Sequence, residues 1–139
     1  MSATVDLVLA AVTAAMFAFA ASGAAGGGDT DLRISVWEQG RKGPPTHVFT
    51  LRCDPPGGNV PDPAAACRRL AAIPRPFAQP AKDVLCTQIY GGPQEALVTG
   101  RYRGEKVSTV LSLRDGCQIA RWRRVAFLTP GFGSALGPS

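Results

Sequence analysis

Apolar and polar positions alternate in several stretches of this chain, and those stretches define its elements. Leu32-Arg33-Ile34-Ser35-Val36-Trp37 alternates apolar and polar, the pattern of a half-buried strand. The next eight residues, Glu38 to Pro45 (EQGRKGPP), are polar and rich in Gly and Pro, so they read as a turn. His47 to Cys53 alternates again. Val48, Thr50 and Arg52 fall on one face and Phe49, Leu51 and Cys53 on the other, so the two runs pair as an antiparallel hairpin. Glu95 to Tyr102 and Lys106 to Leu113 flank the turn Arg103-Gly104-Glu105, a second hairpin signal. Val125 to Leu128 reads as a last short strand.

The period changes between the hairpins. Asp54 to Pro61 (DPPGGNVP) excludes regular structure, and Asp62 to Ile73 then follows a helical pattern. Asp62 suits the N-cap, Pro63 the first helical position, and Arg68 and Arg69 the end of the helix dipole. Cys67, Leu70 and Ala71 share the face that packs inward, with Ile73 near its edge, and Pro74 and Pro76 end the helix. Cys117 to Arg124 is long enough for a second, short helix. The sum is one α+β domain over 32–128: an antiparallel sheet of about five strands, one main helix and one short helix, with the helices on one side.

The ends lie outside that domain. Leu7 to Ala21 is an apolar run of about fifteen residues before Ser22-Gly23-Ala24-Ala25, too short for a bilayer span of about twenty. Residues 1–25 read as an export signal, although the leading MSATVD lacks the usual positive charge, which an uncleaved anchor would also explain. With the signal removed, nothing else predicts a stable membrane association. Residues 26–31 read as a flexible leader and 129–139 as a flexible tail.

Composition narrows the picture without naming a function. The 139 residues carry a net charge of +5, which suits acidic partners but selects none. The four cysteines, Cys53, Cys67, Cys86 and Cys117, are an even set in a short exported chain and predict two disulfides, with three pairings open. Each bridge is worth roughly 3 kcal/mol in the chain-entropy picture. A zinc site has no C-x-x-C pair to start from and only one histidine, His47, so no metal is expected.

Enzyme chemistry finds little support. His47 sits mid-strand with no nucleophile motif near it, the carboxylates are scattered, and Gly26-Gly27-Gly28 lacks the Gly-Lys-Ser/Thr of a phosphate loop. No cofactor is called for. Arg121-Trp122-Arg123-Arg124 could contact an anionic polymer, but the pattern reads better as Trp122 packed inward with three solvated arginines, and no nucleic-acid partner is expected.

One segment remains. Val84 to Pro93 (VLCTQIYGGP) is an extended, uncharged run with Cys86 near its start and Gly91-Gly92-Pro93 at its exit. Tied down by a disulfide, such a run offers a protease the extended backbone it binds in substrates. Stiffness before binding separates an inhibitor from a substrate.

Residues 83–107 give that loop a relative. Asp83-Val84-Leu85-Cys86-Thr87-Gln88-Ile89-Tyr90, followed by Val98-Thr99-Gly100, Tyr102, Gly104 and Val107, resemble the Streptomyces subtilisin inhibitor family. Leu51, Cys53, Gly57-Gly58, Asp62-Pro63, Cys67 and Leu70-Ala71 resemble its first disulfide and helix, and the likeness runs from Leu32 to Leu128. The resemblance implies a secreted homodimer of α+β subunits with bridges 53–67 and 86–117. It implies a reactive bond between Gln88 and Ile89, flanked by Cys86, Thr87 and Tyr90 in a protease-binding loop. In the family, Met or Leu before that bond selects subtilisin-like enzymes, and Lys or Arg selects trypsin-like ones. Gln88 is neither, and a broad subtilisin-like pocket suits it best. Gly91-Gly92-Pro93 replaces the usual Asp-Pro and adds a residue, and Tyr102 stands where Trp is usual. Two glycines to be ordered on association oppose binding, which keeps open an exported binding module on the same scaffold without inhibition. A binder of anionic surfaces through Arg121, Arg123 and Arg124 is a third, weaker reading.

Overall fold

Strand β1, Thr30–Trp37, lies inside the sheet, with strand β2, His47–Cys53, along one side and strand β3, Glu95–Tyr102, along the other. Strand β4, Glu105–Ser112, pairs with β3 and completes the order β2-β1-β3-β4, with every pairing antiparallel. This is a computed structural model, and it describes residues 29–133. The export signal expected over 1–25, the first residues of the expected leader and residues 134–139 lie outside the described residues.

Alternation puts one face of each strand into the core. Leu32, Ile34 and Val36 of β1, Leu51 of β2, Ala96 and Val98 of β3 and Leu111 of β4 are all fully buried. The strand begins two residues before the alternation predicts, because Thr30 and Asp31 pair with Cys53 and Arg52. Those two residues belong to the sheet and not to a leader. The β3–β4 hairpin closes on the two residues Arg103 and Gly104, both at positive φ, and Glu105 already pairs with Tyr102.

Helix α1, Pro63–Ala71, starts where Asp62 and Pro63 place it, with Asp62 Oδ1 accepting from the Ala65 N–H at 3.0 Å. Ala66 and Leu70 are buried, Cys67 is half-buried, and Ala71 is exposed, so the inward stripe runs one position away from the expected one. Cys67 is bonded to Cys53, with 5.9 Å between the Cα atoms, which ties α1 to β2. The open edge of β2 is covered. Arg52 and Gly57 exchange N–H···O bonds of 2.8 and 2.9 Å, and the Asn59 amide serves Thr50 N–H and Val48 C=O.

Three expectations near the C-terminus are corrected. Val125–Leu128 is not a fifth strand; Ala126–Leu128 is a single 3-10 turn, and the sheet has four strands. Val125 and Leu128 are both fully buried, a spacing of three that suits a helical turn and not a strand. Thr129 does not begin a loose tail: it is fully buried and its Oγ1 accepts from Trp122 Nε1 at 2.9 Å. Helix α2, Gly116–Arg124, buries Trp122 as expected and leaves Arg123 and Arg124 exposed, but Arg121 is only 4% exposed.

The burial of Arg121 has a physical account. Its five N–H groups reach five acceptors: the carbonyls of Phe77, Ala78 and Val110, Gln118 Oε1 and Thr109 Oγ1. A guanidinium so satisfied can leave water without a carboxylate partner. Burial, with Arg124 nearby, pushes its pKa down from the ordinary value.

Candidate functional site

Between Ala72 and Gln94 the chain forms no helix or strand, and Val84 to Pro93 is tied to Leu113 and to Gly116 and Cys117 at the start of α2. The large apolar side chains that are exposed, among the described residues, are Val84, Leu85, Ile89 and Tyr90, and all four lie on this segment. Leu85 is 98% exposed and Tyr90 65%. Single exposed apolar residues are ordinary, but four within one ten-residue stretch make it the candidate site among the described residues. Thr87 and Gln88 are exposed as well.

The segment is held from beneath at three points. Cys86 is bonded to Cys117 of α2, with 5.3 Å between the Cα atoms. The Gly116 N–H donates to the Thr87 carbonyl at 2.9 Å, and the Gly91 N–H donates to the Leu113 carbonyl at 2.6 Å. Gln88 and Ile89 lie between these last two anchors. Among the described residues, the main-chain groups of Gln88, Ile89 and Tyr90 have no main-chain partner. The Gln88 side chain folds back, with Nε2 donating to the Cys86 carbonyl at 3.3 Å.

Local sequence explains the platform. Asp115 caps α2 through Oδ1, which accepts from the Gln118 N–H at 2.9 Å, and this sets Gly116 and Cys117 in the first turn. Gly116 is needed for closeness: a Cβ there would stand 2.0 Å from Thr87 Oγ1. At the exit, Gly92 has φ of +134°, which a side chain would oppose, while Gly91 is already tied to Leu113. The second glycine therefore turns the chain, and the first is an anchor.

Leu113 and Gly116 were not singled out from the sequence as supports. The Asp-Gly-Cys run after a strand is a helix-start signal that could have placed α2 one residue earlier. His47 is exposed and sits against Phe49 and Phe132, with Thr46 Oγ1 as its hydrogen-bond neighbour. Cys86, Asp115 and Cys117 crowd together, but the two sulfurs are bonded to each other and the carboxylate caps α2, a donor set that does not fit a metal ion.

The sequence profile described as subtilisin inhibitor-like matches residues 29–112, a span that takes in the sheet, α1 and all of Val84 to Pro93. The chain is 31% identical over 91 residues to subtilisin inhibitor-like protein 5 of Streptomyces fradiae, an alignment covering 63% of this chain and 84% of that one. Among solved structures it is similar to Streptomyces caespitosus sermetstatin, crystallised in complex with Bacillus licheniformis subtilisin. That likeness has 22% identity and a TM-score of 0.49 over 76% of this chain and 100% of the other.

Proposed function

The chain belongs to the subtilisin inhibitor-like family, and from that membership we propose a secreted inhibitor that offers Gln88–Ile89 to a serine protease. The coarse part follows from the family: the protein is a protease inhibitor and not an enzyme. The finer part rests on one observation. The exposed residues Thr87 to Tyr90 are pinned on both sides of Gln88–Ile89, by Cys86–Cys117 and Thr87 before the bond and by Gly91 after it.

The anchors explain how a substrate-like segment inhibits. A protease pairs with the free main-chain groups around Gln88, takes the Gln88 side chain into its primary pocket and attacks the Gln88 carbonyl. The peptide bond breaks, Gln88 becomes the acyl group on the enzyme, and the Ile89 amine is released. In a loose peptide that amine diffuses away. Here the Gly91–Leu113 bond keeps it beside the acyl group, and the disulfide holds the acyl side, so re-formation of the peptide bond competes with water.

Gln88 carries no charge for a trypsin-like pocket, so subtilisin-like enzymes are the proposed targets, with trypsin-like ones second. Export suits two disulfides, which form in oxidising compartments. The proposal includes a homodimer, for which the sheet face away from the helices offers the row Val48, Ser35, Leu97 and Val110, aligned across all four strands. The folded-back Gln88 side chain favours the second reading, a binding module without inhibition.

Titration of subtilisin separates the two. The mature protein is expected to abolish activity at nanomolar to micromolar concentration, and full activity at about a hundredfold excess of protein would overturn the proposal.

A further inference from the structure

Cys117, Arg121 and Arg124 stand four and three residues apart on α2, so they share one face of the helix. Each holds a different point of the leg that leads to the loop. Arg124 Nη2 donates to the Pro74 carbonyl at 3.2 Å, Arg121 holds the Phe77 and Ala78 carbonyls at 3.0 and 2.9 Å, and Cys117 holds Cys86 covalently. The leg has little structure of its own. Its internal main-chain bonds are Ala78 N–H to Arg75 and Val84 N–H to Ala81, at 3.1 and 3.2 Å.

Resting on the inhibitor reading above, we infer that Arg121 is a positioning residue for the loop: it clamps Phe77–Ala78 to α2 and β4 and so sets where Gln88–Ile89 stands. The disulfide fixes one point, and between it and the Arg121 clamp the leg has one side-chain tie to β4, Gln79 Nε2 donating to Thr109 Oγ1 at 3.3 Å. A second anchor one helical turn further along α2 fixes the direction from which the chain arrives at Cys86. The same guanidinium also reaches Val110 and Thr109 of β4, so helix, edge strand and leg are joined through one rigid planar group. Lysine cannot replace this geometry, because an ammonium offers three donors from one point.

Hydrogen exchange followed by mass spectrometry on the whole protein tests this without any protease. Arg121→Lys keeps charge and stem and is the milder variant; Arg121→Ala removes the clamp. Val98→Ala, in the core of β3 and away from the leg, is the control for lost stability. The Arg121 variants are expected to exchange the hydrogen-bonded amides of Ala78, Val84, Gly91 and Gly116 about tenfold faster while the amides of β1 and β3 keep their rates. Val98→Ala is expected to lower Tm without that local effect. In parallel, cleavage of the Arg121 variants by subtilisin is expected to rise about tenfold, with Arg121→Lys between wild type and Arg121→Ala. Exchange at these four amides that rises no more than in Val98→Ala overturns the inference. If the unaltered protein fails to inhibit subtilisin, the functional reading falls, and the exchange comparison still decides whether Arg121 positions the leg.

Discussion

Gly116→Ala separates the stability of the scaffold from the presentation of the loop. Alanine is a better helix residue than glycine by up to about 1 kcal/mol, so α2 itself gains or stays level. The added Cβ, however, would lie 2.0 Å from Thr87 Oγ1, where real contacts stay beyond 3.0 Å. The Thr87 Cβ and N stay at 3.3 and 3.6 Å, so the clash is relieved in one of two ways: the hydroxyl turns aside, or Thr87 moves outward by about 1 Å and loses the 2.9 Å bond from Gly116 N–H to its carbonyl. That shift reaches the residue directly before Gln88. If it costs two main-chain bonds to the protease at about 1 kcal/mol each, binding weakens by about 2 kcal/mol, or roughly thirtyfold. Inhibition constants against subtilisin, measured beside Tm, check this: Tm is expected to hold or rise while inhibition falls. The double variant Gly116→Ala/Thr87→Ala removes the colliding hydroxyl and leaves the Thr87 Cβ and N at 3.3 and 3.6 Å, so most of the loss is expected to return. Unchanged inhibition by Gly116→Ala would refute the reasoning, since the Thr87 hydroxyl would then have turned aside and left the main chain before Gln88 in place.

Gln88→Lys gives the segment a cation for a trypsin-like pocket and is expected to move inhibition toward trypsin in paired titrations; an unchanged profile would place the contacted bond elsewhere. Thr129→Val leaves the buried Trp122 indole N–H without its acceptor. That change is expected to cost about 1–3 kcal/mol and lower Tm by roughly 5–15 °C in a thermal melt, with inhibition of the folded protein retained. A Tm within error of wild type would mean that Thr129 does not seal the core.

The hairpins and α1 were legible because their signals are local: alternation in Leu32 to Trp37, and Asp62-Pro63 before the apolar stripe of α1. The α+β class followed from those pieces. What escaped depends on contacts between distant residues. The four-residue apolar run at Val125 fits strand or helical turn equally well, and the packing of Leu128 in the core decided between them. Arg121 looked like a solvated charge because nothing in its neighbourhood along the chain tells of the Phe77 and Ala78 carbonyls turned toward it. The loop was visible through its cysteine, its lack of charge and its family likeness. Its supports were not: Leu113 anchors through a main-chain carbonyl that any residue carries, and the closeness that requires glycine at 116 shows only once Thr87 lies against it.

A time course of the protein with a small amount of subtilisin, read by mass spectrometry of the intact chain and its disulfide-linked products, tests the central claim most directly. The account predicts one slow cut, at Gln88–Ile89, a lasting mixture of intact and cut protein, and inhibition by both. Rapid cutting at several bonds between Val84 and Pro93, with activity restored as the loop disappears, would contradict it.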